Sequence, residues 1–168
     1  MAPTESEINS LLSSDACSVD VTPQLEDYLT AQLEGTTAYH ADAVRRLVKM
    51  YQLFPASAKT DKITQALFVA LLQYPSHTDF LALKYMIPQT TLNQEPCTLL
   101  KKAIEQIEAC QFAQFWETVA SLKSSSSALT AYVAADSTTQ TFQKAILQIL
   151  ALTYQQAPAT TVVLPALQ

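Results

Sequence analysis

Ser76, His77 and Asp79 lie within four positions of one another. A hydroxyl, an imidazole and a carboxylate are the parts of an acyl-transfer triad, but triads are assembled in space from separate segments. The run Ser76-His77-Thr78-Asp79 also has the Ser-x-x-Asp form of a helix capping box, with Pro75 and Phe80 placed for a hydrophobic staple across it. That role accounts for Ser76 and Asp79 without catalysis. His40, which follows Tyr39 at another helix entrance, reads as a surface or capping residue. Cys97 and Cys110 with the two histidines make four metal ligands on paper. Structural zinc sites bring their ligands in close-spaced pairs, and none is paired here. Small buried thiols are the expected state. Glu105, Glu108 and Glu117 fall on expected solvent faces. No metal, cofactor or reaction centre is expected. A small hydrolase using His77 or Cys110 stands as a rival reading.

Gly35 is the single glycine in 168 residues. Phosphate-cradling loops, dinucleotide turns and nucleophile elbows all need glycine, so those motifs are excluded. The formal net charge of −5 argues against broad phosphate-backbone binding. The basic groupings Arg45-Arg46-Lys49 and Lys101-Lys102 read as solvated helix faces. Direct RNA binding through Arg45, Arg46 and Lys49 is a further rival. Cys17, Cys97 and Cys110 show no CxxC spacing, and there is neither a signal-peptide hydrophobic region nor a membrane-length apolar run. Reduced thiols and a cytoplasmic location are expected.

The elements that must position these residues are helices. Leu100, Ala103, Ile104 and Ile107 form one apolar stripe, and Phe112, Phe115, Trp116 and Val119 form another. The short gap between them predicts an antiparallel helical hairpin. Upstream, Ile8, Leu11 and Leu12 suit a short helix, followed by a polar connection over 13–21. Thr22-Pro23 reads as an N-cap with proline at the first helical position, and Gly35 as the C-cap of that helix. Val44, Leu47, Val48 and Tyr51 mark the next helix, stopped by Pro55. From 59 to 74 the pattern is apolar nearly all round, as in a helix buried on several sides. Phe80, Leu81, Tyr85 and Met86 are the expected inward positions of a helix stopping before Pro88.

The four serines at 124–127 read as a turn, and Leu129, Tyr132 and Val133 as a short helix. Ser137-Thr138-Thr139-Gln140 has capping-box form before the last long helix. Its stripe is Phe142, Ala145, Ile146, Ile149, Leu150 and Thr153. Beyond Pro158, the β-prone stretch TTVVL between two prolines is expected to be an irregular tail.

Helix starts near Thr22, Thr60, Glu95 and Ser137 are spaced by roughly 35 to 40 residues. The expected fold is all-α: HEAT- or TPR-like helical hairpins stacked as a right-handed solenoid over 1–157, then an irregular tail over 158–168. Such arrays bind other proteins along their faces.

The run Ile107 to Trp116, with its Cys-x-Phe-x-x-Phe-Trp segment, resembles the k-subunit family of eukaryotic translation initiation factor 3. Leu47 to Pro55 (LVKMYQLFP), Pro75 to Ile87 (PSHTDFLALKYMI) and Leu152-Thr153-Tyr154-Gln155 are similar to that family in the same order. Pro75 to Ile87 carries an extra Ser76. The resemblance extends over roughly Ile8 to Gln156 and implies a PCI-type domain, a HEAT-like helical half followed by a winged helix. The helical half agrees with the pattern above, whereas the winged helix is expected to be absent. Also implied is a non-catalytic scaffold subunit that binds other subunits, chiefly the l subunit and then the e subunit. Contact with the small ribosomal subunit would be mostly indirect. A PCI-type subunit of the proteasome lid or the signalosome is the nearest alternative. The last helix and tail are expected to replace the lost docking surface through Phe142, Ile146, Ile149, Tyr154, Val162, Val163 and Leu164.

Overall fold

The computed structural model describes residues 3–13, 18–125 and 127–167. Residues 14–17 of the expected polar connection, Cys17 among them, lie outside the described residues, as does Ser126 of the serine run. Among the described residues every regular element is helical. The chain divides into two compact units, Met1–Ala70 with Thr78–Leu92, and Leu71–His77 with Asn93–Gln168.

The first unit is built on α1 (Glu5–Ser13), α2 (Thr22–Leu33), α3 (Ala41–Leu53), α4 (Thr60–Leu71, whose last residue falls in the second unit), α5 (Thr78–Met86) and the short α6 (Gln89–Leu92). Leu25, Tyr28 and Leu29 on α2 and Val44, Leu47, Val48 and Tyr51 on α3 are buried, as their helical spacing requires. α2 ends as the sequence predicts. Gly35 has φ +71°, its N–H donates to Gln32 O at 3.2 Å, and the N–H of Thr36 donates to Ala31 O at 3.0 Å. Those two bonds define a Schellman ending. The other end differs from expectation. Thr22 is already helical, Val21 is the N-cap, and the buried Thr22 hydroxyl has no partner among the described residues. Every residue from Ile63 to Leu71 is buried.

α5 corrects another expectation. Phe80 and Leu83 are its buried residues, whereas Tyr85 is 85% exposed. Leu81 and Met86 are half-buried; with hydrophobic residues spread around the axis there is no clear stripe, so the pattern placed Phe80 correctly, missed Leu83 and misplaced Tyr85.

The second unit holds α7 (Cys97–Glu108), α8 (Phe112–Ser125), α9 (Ser127–Val133), α10 (Asp136–Thr153), a π-type turn over Ala159–Val163, and α11 (Leu164–Ala166). α7 and α8 form the expected hairpin, closed by three residues. Leu100, Ala103, Ile104, Ile107, Phe112, Phe115 and Val119 are buried. A buried 2.7 Å hydrogen bond from Thr118 Oγ1 to Gln106 Oε1 crosses the pair. Serine also continues helices: Ser124 and Ser125 belong to α8, and Ser127 begins α9. α10 starts at Asp136 with Ala135 as N-cap, and Thr138 Oγ1 donates to Tyr132 O at 2.7 Å. Ser137 is therefore not the N-cap. The tail winds into helical turns where an irregular segment was expected.

Candidate interaction surfaces

Asp79 does not close the local cap. In the first unit its carboxylate accepts from the Tyr39 hydroxyl at 3.1 Å and pairs with the Arg45 guanidinium. The N–H of Ser76, which a capping box would give to Asp79, donates to Gln73 O at 3.0 Å. α5 begins at Thr78, too late for Ser76 to be its N-cap. Burial first, and then the charge of Asp79 and its hydrogen bond, hold the Tyr39 phenol well above its ordinary range. His40 does cap α3: its Nδ1 accepts from the N–H of Ala43 at 3.3 Å, and its Nε2 meets Asn9 Oδ1 at 3.0 Å. Because Nδ1 accepts, the ring proton in this arrangement is on Nε2.

Arg45, Arg46 and Lys49 line a groove with Leu12, His40 and Met86. Arg45 is held by Asp42 at 3.2 Å as well as by Asp79, and Arg46 reaches Leu12 O at 3.4 Å. Lys49 is exposed. Two of the three cations thus hold the first unit together.

In the second unit, His77 Nε2 lies 3.9 Å from Glu108 Oε1, and its Nδ1 lies 3.4 Å from Pro75 O. Neither ring nitrogen meets a hydroxyl or thiol among the described residues. Burial raises the nearby Tyr74 phenol, and Cys110 and Glu108 add to the shift. Cys97 is buried as expected, but Cys110 is exposed. The reason is its place in the chain: it is the left-handed residue, φ 57°, that ends α7. Cys110 N–H donates to Ile107 O at 3.1 Å and Gln111 N–H to Gln106 O at 2.8 Å, a Schellman ending without glycine. No three His, Cys, Asp or Glu side chains among the described residues converge on a common point.

The expected partner-binding residues separate into two groups. Phe142 and Ile146, at 1% and 0% exposure, are corrected to core residues of the second unit. Phe142 packs edge-on to Phe115 at 5.1 Å and Trp116 at 6.4 Å, so the stripe that looked available already faces α8. Ile149, Val162 and Val163 are half-buried, and Tyr154 and Leu164 are exposed. Sequence reasoning missed Leu147 and Leu152, both exposed near the end of α10. The signal was there: they are leucines off their own helix's core stripe.

In the first unit Asp79, Arg45 and Arg46 brace helices against one another, and in the second Leu147, Leu152, Tyr154 and Leu164 are large apolar side chains left exposed. The chain belongs to the CSN8/PSMD8/EIF3K family, whose model matches residues 57–161. Three of the four resembling stretches fall inside that span, and Leu47 to Pro55 precedes it. The chain is 34% identical over 109 residues to a Dictyostelium discoideum protein named eukaryotic translation initiation factor 3 subunit K, covering 65% of this chain and 43% of that one. It is 36% identical over 101 residues to a Pyricularia oryzae protein of the same name, covering 58% and 42%. The human protein of that name is 34% identical over 95 residues, covering 56% and 43%. The matches thus span less than half the length of these relatives. No helix among the described residues is long and apolar enough to cross a membrane.

Proposed function

We propose that this chain is a non-catalytic scaffold subunit of eukaryotic translation initiation factor 3. It binds other subunits in the cytoplasm, chiefly the l subunit and then the e subunit, and supports initiation complexes on the small ribosomal subunit mostly indirectly. The observation carrying this reading is the 34–36% identity to proteins named as the K subunit of that factor. The acidic balance and the internally held Arg45 and Arg46 favour protein partners over RNA. Partner contact is assigned to the exposed end of α10 and the tail, through Tyr154 and Leu164, with Ile149, Val162 and Val163 contributing their accessible edges.

The test is a tagged pull-down from cytoplasmic extract, read by mass spectrometry beside a sucrose gradient. Initiation factor 3 subunits in the eluate, with a share of the protein migrating with small ribosomal subunits, are expected. Proteasome-lid or signalosome subunits would move the function to another assembly. A lone monomer at the top of the gradient would overturn the reading.

A further inference from the structure

In the second unit the solvent sides of α7 and α8 carry charge in the ordinary way. Lys102, Glu105 and Glu108 are exposed on one helix, Glu117 and Lys123 on the other. α10 departs from that pattern. From Ala145 to Gln168 there is no Asp, Glu, Lys, Arg or His, in a sequence with 15 acidic and 10 basic residues. Leu147, Gln148, Ala151 and Leu152, spaced i, i+1, i+4 and i+5, share the side of α10 turned away from its buried Phe142, Ala145, Ile146 and Leu150. All four are exposed, Leu152 by 87%. Tyr154, Gln155, Gln156 and Pro158 follow and are exposed as well. Lys144, one turn before Gln148, is the last charge bordering this face.

Exposed leucines alone would not set the face apart. The missing charge is a separate observation, and it is the composition of an interface core, where Asp, Glu and Lys are depleted and Tyr is enriched. It also limits what can be complementary. An ionised group of a partner set against this face would lose its water and gain no counter-charge. A nucleic acid would find no cation there for its phosphates. Neutral hydrogen bonding is available from the amides of Gln148, Gln155 and Gln156. With the small Ala151 between two leucines, the face suits the ridge of another helix.

We infer that the outer face of α10 from Leu147 to Tyr154 is the core of an interface with a partner protein presenting an uncharged, apolar helix face. Burial holds that association together, and ion pairs do not. The inference rests on the assignment of partner contact to the end of α10 under the proposed function, and adds the chemistry of what is bound there.

The test uses the full chain and charges of both signs at one position. Leu152→Glu and Leu152→Lys should melt with the wild type, because the side chain they replace is 87% exposed. In tagged pull-downs from cytoplasmic extract, both should lower recovery of initiation factor 3 subunits by about tenfold or more. Gln148→Glu and Gln148→Lys repeat the comparison one turn earlier. Wild-type recovery should persist in about 1 M NaCl, where ion pairs are screened within about 3 Å. Full retention by one sign of charge would show an oppositely charged partner surface and overturn the inference. So would retention by all four variants, or loss of the wild-type subunits in high salt. A concentration-dependent dimer of the purified wild type, dispersed by both Leu152 substitutions in sedimentation, would put a second copy on this face instead. Each of those results leaves the scaffold reading standing while the wild type recovers the subunits at low salt. Their absence from that low-salt eluate is the failure of the scaffold reading itself, and this inference falls with it.

Discussion

The Tyr51 hydroxyl donates to Glu26 Oε1 at 2.6 Å, joining α3 to a carboxylate on α2 that is only 7% exposed. The other oxygen of Glu26 meets Lys59 Nζ at 2.5 Å. A buried carboxylate is tolerated because each oxygen has a partner, and removing one partner costs more than the bond itself contributed. The two partners are not equivalent, since the Lys59 side chain is 60% exposed and water can replace it.

Tyr51→Phe should therefore destabilise the fold by about 2 kcal/mol, the range for a hydrogen bond to a charged group. Lys59→Ala should cost under about 1 kcal/mol, as exposed ion pairs do. Urea denaturation of the two variants decides the order. Equal losses would mean that the carboxylate is hydrated and Tyr51 is not its principal anchor.

The same geometry sets an alkaline limit. Burial, then the bond to Glu26 and its charge, push the Tyr51 phenol well above its ordinary 10.0, and Tyr39 is shifted the same way by burial and Asp79. Below the ordinary value both folded and unfolded chains keep these protons, and the contribution is complete. Above it the unfolded chain ionises first, so stability falls as pH rises. Urea midpoints at about pH 9 and about pH 11 should show that decline, and it should be shallower in the double variant Tyr39→Phe, Tyr51→Phe.

Glu26 also marks where sequence reading stopped. A charged residue beside a Leu-Tyr-Leu stripe carries no sign that it will be buried. Helix positions were legible because Leu25, Tyr28 and Leu29, or Phe112, Phe115 and Val119, recur at the helical period. Helix starts were less so. Thr22, Ser76 and Ser137 all look like N-caps, yet the chain enters its helices at Val21 and Ala135, and α5 begins beyond Ser76. In a sequence rich in Ser and Thr, hydroxyls find carbonyl partners elsewhere, as Thr138 does at Tyr132 O. The candidate surface was legible only in part. Period alone shows that Phe142 and Ile146 share a stripe, but not whether that stripe meets α8 or another protein.

Asp79 separates a local role from a tertiary one. If it were a capping-box acid, Ser76→Ala and Asp79→Ala would cost similar amounts. With Asp79 bound to Tyr39 and Arg45, Asp79→Ala should cost about 1.5 kcal/mol and Ser76→Ala no more than about 0.5 kcal/mol. A thermal melt of each variant checks this, and a double-mutant cycle with Arg45→Ala should show coupling between the pair.

Cys110 occupies a backbone conformation that suits glycine. At φ 57° its Cβ crowds the following carbonyl, an effect of about 1–2 kcal/mol for a side-chain-bearing residue. Cys110→Gly should raise stability by about 1 kcal/mol, and Cys110→Val should lower it, because branching worsens the clash. The measured quantity is the urea midpoint. Retained subunit association in the glycine variant would also show that the thiol is not needed for that association. A destabilised glycine variant would mean that the side chain's contacts outweigh its backbone strain.

The end of α10 separates binding from folding. Single exposed leucines are ordinary on protein surfaces. Leu147, Leu152 and Tyr154 are exposed by 41%, 87% and 48% within eight positions of one helix end, and the exposed Leu164 follows in the tail. Leu152→Asp removes almost no buried area in the isolated chain and should change its stability by less than about 0.5 kcal/mol. Where a partner covers this region, the same substitution buries a charge at the interface and should sharply reduce co-purification of initiation factor 3 subunits. Phe142→Ala is the contrast. It should cost about 3–5 kcal/mol by emptying the aromatic core, so any loss of partner would follow unfolding. Melting curves measured beside pull-downs distinguish the two routes. Undiminished subunit retention by a folded Leu152→Asp protein would exclude the Leu152 position from the interface and leave Leu164 and its neighbours in the tail to carry the contact.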